Sequence, residues 1–274
     1  MLSIKSAALA TALALSGLVA TNALAQDLPA PPAPGVSARV DAIKASGFLR
    51  VGVLNNEPWL VQNTTGDGPP WSGPAWLLAQ TYAKLLGVQV QEVPVSAETK
   101  VTLLAANQAD ISITALGESP DRMKVVDFVT YSNNSTCMIG KADDPKLANV
   151  KTIDDLNDPG MDLVFGIGAP DDTYLKARFP KAQVRGVTTA IDEVLAGHAD
   201  ATPYNRIQAV RLMKKVPGLV SFPTDCIRST EQASDVGMAI DKNQPEFLAW
   251  LQAVATAMKP QVEAEEERAI NALD

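Results

Sequence analysis

Arg122 is the residue whose type and position most directly suggest chemistry. The stretch DISITALGESPDR, residues 110–122, is an alternating strand pattern followed by Ser119, a proline and finally Arg122. A guanidinium group presents a planar pair of donors that matches a carboxylate. Arg122 therefore predicts a site for a carboxylate-bearing molecule. The alternatives are that Arg122 caps a helix end or forms a surface ion pair with Asp121 or Asp127.

Residues 1–25 have the pattern of a secretory signal peptide. One cation, Lys5, precedes an apolar stretch that runs to about Val19, and a small-residue site, Ala-Leu-Ala, stands before Gln26. A transmembrane anchor is the alternative, but it needs roughly 20 apolar residues, more than this stretch supplies. No cysteine follows the small residues, so the sequence predicts no lipid anchor there. We expect cleavage before Gln26 and export to a bacterial periplasm.

Export bears on the two cysteines, Cys137 and Cys226. An even number of cysteines in an oxidising compartment favours one disulfide, and two separate buried thiols are the alternative. With a single histidine, His198, and no cluster of cysteine or histidine, the sequence predicts no metal site. It contains no nucleotide-binding loop and no Ser-His-Asp order. We therefore expect neither a cofactor nor catalytic residues.

Length and charge narrow the class of partner. Removal of the signal peptide leaves about 250 residues, enough for one large domain or two of ordinary size. The formal net charge of −8 argues against nucleic acids and anionic membrane surfaces as partners, because both require basic patches. We expect a monomer whose partners are small molecules and other proteins.

Strand and helix patterns alternate along the chain. FLRVGVL is typical of a buried strand, and PAWLLAQTYAKLLG is an amphipathic helix with Pro74 in its first turn and Gly87 past its end. VQVQEVPV then alternates like a second strand. This order predicts an α/β fold with a mostly parallel sheet flanked by helices. A long turn-rich connection containing Trp59 and Trp71 separates the first strand from the helix, and loops of this length are usually functional.

One local pattern occurs twice, about ninety residues apart. VTLLAANQADISIT ends a helix at Asn107 and begins a strand at Asp110. AIDEVLAGHADATPY ends a helix at Gly197 and begins a strand at Asp200. The repetition of helix, turn, Ala-Asp and strand predicts two similar lobes.

The order of these segments resembles that of the periplasmic solute-binding proteins of polar amino-acid ABC importers, bacterial extracellular solute-binding protein family 3. The resemblance covers most of the mature chain. It rests on LRVGV followed by Pro58, on LLGVQVQEVP, on the Ala-Asp strand, on the Ser-Pro-Asp-Arg block with VVDF after it, on TIDDLNDPG and on the second Ala-Asp in GHADA. It implies a ligand enclosed between two lobes and delivered to an ABC permease in the inner membrane.

The resemblance also implies a division of the chain. After a Pro/Ala-rich leader at residues 26–35, lobe 1 of this type II periplasmic-binding-protein fold comprises residues 36–134 and 233–274. Lobe 2 comprises residues 135–232. Two crossover strands join the lobes.

The family pattern assigns roles to several residues. Arg122 would clamp the α-carboxylate of the ligand, assisted by the backbone of Gly117 and the hydroxyl of Ser119. Trp59 would face the ligand side chain, since an aromatic face suits apolar groups and cations. For Ser119 the alternative is an N-cap of the following turn, and for Trp59 it is ordinary core packing.

The sequence departs from the family pattern at two ligand-binding positions. Ala169 brings no hydroxyl to the Gly-rich turn of lobe 2. Asn205 stands where the family has an aspartate that pairs with the ligand ammonium, and an amide supplies no countercharge. Either the ligand lacks an α-amino group or another acid pairs with it, the candidates being Glu57, Glu118 and Asp172.

Two further functions stay open. Some relatives on this scaffold are dehydratases of prephenate-like cyclic acids, which would need a general acid in the cleft. A periplasmic ligand-sensing or accessory protein is the other. Outside the site, we expect Trp76 and Trp250 in the core, His198 in an exposed turn, and the acidic stretch EAEEER near the C-terminus on a solvated helix end.

Overall fold

The computed structural model describes residues 28–169 and 171–273. The predicted signal peptide and cleavage site lie outside these residues, as does the start of the predicted leader. Within the described ranges, no helix combines the length and apolar character that a membrane crossing requires.

Helices and strands alternate through most of the described chain. The strands are β1 (Phe48–Val53), β2 (Val61–Gln62), β3 (Trp71–Ser72), β4 (Gln89–Pro94), β5 (Ile111–Gly117), β6 (Val126–Lys141), β7 (Asp162–Gly166), β8 (Gln183–Val187), β9 (Ala201–Asn205), β10 (Leu219–Phe222) and β11 (Glu231–Asp241). The helices are α1 (Ala38–Ser46), α2 (Pro74–Leu86), α3 (Thr102–Ala105), α4 (Pro120–Met123), α5 (Asp171–Arg178), α6 (Ala190–Leu195), α7 (Arg206–Lys215), α8 (Pro245–Ala257) and α9 (Lys259–Ala272). Short 3₁₀ helices cover Leu147–Asn149, Ile153–Leu156 and Cys226–Arg228.

Nine strands form one sheet in the order β4–β1–β5–β11–β6–β9–β7–β8, with β10 along β6. A first strand group, β1, β4 and β5, is parallel throughout, and so is a second strand group, β7, β8 and β9. The long strands β6 and β11 pair antiparallel to each other and stand between the two groups. The predicted α/β fold with a mostly parallel sheet and flanking helices is confirmed.

Each strand group has its own apolar core. The core of the first group contains Trp76 and Trp250, as expected, with the fully buried Tyr82 tilted against Trp250 at 5.5 Å between ring centroids. A separate cluster around Phe179 packs against β7 of the second group. Two cores on one sheet explain why the chain repeats an α/β pattern.

The repeated Ala-Asp pattern has the same structural role in both groups. The carboxylate of Asp110 accepts a hydrogen bond from Arg50 N at 2.8 Å, and that of Asp200 accepts one from Asp162 N at 2.7 Å. Each aspartate is buried and also pairs with a cation, Arg50 in one case and Lys146 in the other. The two carboxylates therefore fix where neighbouring parallel strands begin relative to each other.

A disulfide joins Cys137 to Cys226. Cys137 lies on β6 where this strand pairs with β9, and Cys226 begins the last 3₁₀ helix. Both sulfurs are buried in a cluster that also includes Ala209 and Ile270. The bond therefore holds the 3₁₀ helix to β6 where β6 pairs with the second strand group.

Candidate functional site

The carboxyl ends of the two strand groups meet at one ribbon, which we call the central ribbon: residues 131–136 of β6 and 231–236 of β11. Gly117, at the end of β5, pairs with Val236, which in turn pairs with Ser132. Asn205, at the end of β9, pairs with Thr136. At a rise of about 3.3 Å per residue, the two strand ends are separated by roughly 13 Å along β6. Side chains that follow β5 and β9 therefore lie near the same space, where open α/β sheets bind ligands.

Arg122, Ser119 and Gly117 are brought together at the end of β5. The Ser119 hydroxyl accepts from Arg122 N and caps the short helix α4, as the alternative reading proposed. The guanidinium donates from Nη1 to Gly117 O at 2.7 Å and is half-buried. Burial and the charge of Arg122 lower the pKa of Lys100, so two cations lie close together here. This strand end favours an anionic group.

Ala115 adds backbone strain beside this cation. It lies within β5 with φ of +51°, a left-handed conformation that costs a residue with a Cβ about 1 kcal/mol. Such outliers persist where the surrounding structure holds them, and they cluster at functional sites. The strain therefore supports a functional use of this strand end.

On the second strand group, Asn205 has two structural partners. Its Oδ1 accepts from Ile207 N and caps α7, and its Nδ2 donates to Asn134 Oδ1 at 2.6 Å. The side chain thus stands between helix and central ribbon, with an amide in place of a charge.

The turn after β7 supplies the other predicted residues. Ala169 N donates to Gly166 O at 2.9 Å, and Ala169 is half-buried. Asp172, in the first turn of α5, pairs with Lys176 at 2.6 Å. Its neighbour Asp171 is half-buried, and burial raises the pKa of the Asp171 carboxyl.

Three predicted residues have other surroundings: Glu57 and Trp59, in the long loop after β1, and Glu118. Glu57 is exposed and lines a cavity of about 330 Å³ beside α9, together with Arg211 and Arg268. Trp59 is 7% exposed and donates from Nε1 to Ser132 Oγ and to Glu266 Oε1, each at 2.9 Å. Glu118, after β5, accepts from Thr130 Oγ1 at 2.9 Å.

Glu266 is the residue that the sequence reading missed. The other four residues of EAEEER that carry charge suggest a solvated helix. Glu266 itself, however, is 6% exposed and pairs with Arg206, the first residue of α7. Its Oε1 also accepts from Ser132 Oγ at 2.7 Å, while Arg206 Nη1 donates to Ile227 O at 2.6 Å. The expectation that this stretch is wholly solvated is wrong, because one face of α9 packs on the central ribbon. The position of Glu266, four before the buried Ile270, was the available signal.

The chain matches a known protein family. Residues 49–267 match the family described as bacterial extracellular solute-binding proteins, family 3. The L-cystine-binding protein TcyJ of Escherichia coli (strain K12) is 25% identical over 214 residues, which is 76% of each chain. The structure of an ancestral cyclohexadienyl dehydratase is 26% identical with a TM-score of 0.69, over 85% of this chain and 96% of that one. An ancestral cationic amino acid solute-binding protein is also 26% identical, with a TM-score of 0.55 over 85% and 97%.

The Arg206–Glu266 pair is testable by a double-mutant cycle. Arg206→Met should lower the free energy of unfolding by about 3 to 5 kcal/mol, because it leaves a buried carboxylate without its cation. Arg206→Met combined with Glu266→Gln should cost clearly less than the two single changes summed, since Gln keeps an acceptor for Trp59. Urea unfolding measures all three variants.

Lys124→Ala is the matched control, because Lys124 pairs with Asp121 in solvent with side chains 71% and 92% exposed. This change should cost less than about 1 kcal/mol. Strict additivity in the Arg206–Glu266 cycle would show that the two side chains do not interact.

Proposed function

Because the chain belongs to the bacterial extracellular solute-binding proteins of family 3, we propose that it is the periplasmic substrate-binding component of an ABC transporter. It binds an amino acid or a related small carboxylate and delivers it, as a monomer, to a permease in the inner membrane. The observation that carries this proposal is Arg122, which donates to Gly117 O at the carboxyl end of β5 and has a second cation, Lys100, close by. Cleavage of residues 1–25 would release the protein into the periplasm.

The proposed binding cleft lies between two lobes. Lobe 1 comprises residues 36–134 and 233–274, and lobe 2 comprises residues 135–232, with the central ribbon as the hinge. Two separate cores support this division. Closure brings the turn after β7 towards Arg122, and a bound ligand stabilises the closed state.

Three groups hold the ligand carboxylate in this proposal. Arg122 provides the charge, and Gly117 and Ser119 shape the strand end beside it. Gly117 O accepts one of the five guanidinium N–H donors of Arg122, and a carboxylate that docks here accepts from the others. Trp59 holds the long loop against the central ribbon through its hydrogen bonds to Ser132 and Glu266. Glu57 lies on the exposed side of the same loop.

The ligand ammonium meets lobe 2. Asn205 and the backbone of Ala169 offer neutral polar groups there, and Asp172, with Asp171 next to it, supplies negative charge at the start of α5. The related proteins narrow the candidates, because TcyJ is a cystine-binding protein and the ancestral protein binds cationic amino acids, as their names state. A thermal-shift screen should therefore begin with cystine, lysine and arginine.

Arg122→Ala should weaken binding of the ligand from this screen by about 10- to 100-fold, because a charged hydrogen bond contributes roughly 1.5 to 3 kcal/mol. Isothermal titration measures the change. Arg122→Lys keeps the charge but loses the paired geometry, so it should retain part of the affinity. Unchanged affinity in Arg122→Ala would remove Arg122 from the site.

Asn205→Asp tests how the ammonium is recognised. An aspartate keeps the oxygen that caps α7 and adds a countercharge, so amino acids should bind about tenfold more tightly at neutral pH. Carboxylates without an amine should not gain affinity. Equal effects on both ligand classes would mean that the ammonium does not reach this residue.

A dehydratase is the second candidate, favoured by the similarity to the ancestral cyclohexadienyl dehydratase. Such an enzyme needs a general acid at the cleft. Asp171, in the first turn of α5, is half-buried, and burial raises the pKa of its carboxyl. Turnover of prephenate or arogenate that is lost in Asp171→Asn would establish this activity, and absence of turnover in the unaltered protein would exclude it.

A further inference from the structure

Two cations follow neighbouring strand ends in the first strand group. β4 and β5 run parallel on either side of β1, so their carboxyl ends lie at one edge of the sheet, roughly 10 Å apart at the usual strand spacing. Lys100 lies six residues past the end of β4, and Arg122 lies five residues past the end of β5. The charge of Arg122 acts on Lys100, so the two side chains are close to each other.

Neither cation forms an ion pair with any residue that the structure describes. Arg122 donates from Nη1 to Gly117 O, and no described side chain accepts from the Lys100 ammonium. Both side chains are half-buried, and within the described chain neither contains an enclosed polar atom that lacks a partner. Their unused donors are therefore reachable from solvent and available to a bound molecule.

The protein does not balance this positive charge from nearby in the chain. Four acidic residues close in sequence to the two cations have other partners: Asp121 pairs with Lys124, Asp127 with Lys242, Glu118 with Thr130 and Glu98 with Ser96. A half-buried charge without a counterion is unfavourable, because burial removes part of its hydration. A ligand that brings negative charge would relieve this cost.

Lys100 is unfavourable for the fold itself. Burial, and then the charge of Arg122, lowers the pKa of Lys100 below its usual value, so the folded protein disfavours its charged form. A lysine that supports the fold pairs with an acid, as Lys146 does with Asp200 at 2.9 Å. Binding sites are where proteins keep groups that cost stability. This contrast favours a role for Lys100 in binding.

The two side chains suit two separate carboxylates. The guanidinium of Arg122 holds one carboxylate through a pair of parallel hydrogen bonds. The ammonium of Lys100 is a compact charge on a flexible stem, and it can meet a second anionic group near the end of β4. One carboxylate would neutralise only one of the two positive charges, whereas two would neutralise both.

We propose that Lys100 is a specificity-determining residue of the cleft and that the ligand is a short dicarboxylate, with one carboxylate on Arg122 and the other on Lys100. This assignment rests on the proposed function, because it takes Arg122 as the site of the first carboxylate. Acidic amino acids and amine-free diacids share this chemistry, and titration distinguishes them.

Isothermal titration of the protein without its predicted signal peptide compares each dicarboxylate with its monoamide, which has nearly the same size and one charge less. The pairs are L-glutamate with L-glutamine, L-aspartate with L-asparagine, glutarate with glutaramate and succinate with succinamate. We expect the dicarboxylate that binds best to exceed its monoamide at least tenfold in affinity. Equal affinity within every pair would overturn the proposal.

Lys100→Met locates the second carboxylate. Loss of a charged hydrogen bond should weaken dicarboxylate binding about 10- to 100-fold and leave the monoamides unchanged. Lys100→Arg keeps the charge and should retain the preference. Because Lys100→Met removes a half-buried charge beside another cation, the melting temperature of the free protein should stay equal or rise. An undiminished preference for dicarboxylates in Lys100→Met would contradict the assignment.

Lys124→Met is the matched control. It removes the same charge two residues from Arg122, but from a pair with Asp121 whose side chains are 71% and 92% exposed. Solvent and salt screen such a charge, so dicarboxylate affinity should change less than about twofold. An equal loss in Lys124→Met and Lys100→Met would mean that net charge, and not a contact from Lys100, sets the affinity.

Binding of a ligand with one carboxylate separates the two proposals. If L-glutamine or L-lysine binds, loses affinity in Arg122→Ala and is not surpassed by any dicarboxylate, the proposed function stands and the role of Lys100 is rejected. If no carboxylate binds in titration or raises the melting temperature, both proposals are rejected.

Discussion

A single carboxylate oxygen, Glu266 Oε1, connects the parts of this molecule. It accepts from Trp59 in the loop after β1, from Ser132 in the central ribbon and from Arg206 at the start of α7. A buried carboxylate is tolerated only when it is paired and hydrogen-bonded, so the three donors are held near one point. This constraint fixes the long loop against the ribbon and the ribbon against α7. The start of α7 in turn determines where Asn205 stands.

The direction of the strands also brings the two sides of the proposed cleft together. Two antiparallel strands separate two parallel groups, so the groups run in opposite directions and their carboxyl ends meet over the ribbon. Asp110 and Asp200 set the strand starts in the two groups by the same backbone bond. Asn205 is the last residue of β9 and Arg122 lies five residues past the end of β5, one on each side of the ribbon. The proposed cleft is thus a product of strand direction and of two buried aspartates.

Most of the architecture was predictable from local patterns, because helix ends, strand alternation and the repeated Ala-Asp segment are determined by near neighbours. Asn107 and Gly197 adopt the left-handed turns that the repeat required, with φ of 54° and 74°. For the proposed site, the sequence could group only residues that are close along the chain, such as Gly117, Ser119 and Arg122, which the structure brings together at the end of β5. The Glu266 network was not, because Trp59 and Glu266 stand 207 positions apart and an acidic helix usually faces water. Which of several acids on a helix becomes buried depends on the hydrogen-bond donors that the facing part of the protein presents.

The position of the disulfide has a consequence for how the molecule can move. Cys137 and Cys226 both belong to the part of the chain that packs with the second strand group, and no covalent link other than the backbone crosses to the first group within the described residues. In the proposed closure about the central ribbon, the cross-link is therefore not stretched, and the oxidised and reduced proteins should close through the same angle. The cross-link makes the half that contains the second strand group more resistant to local opening. We therefore expect a protease to cut first in the half that has no disulfide.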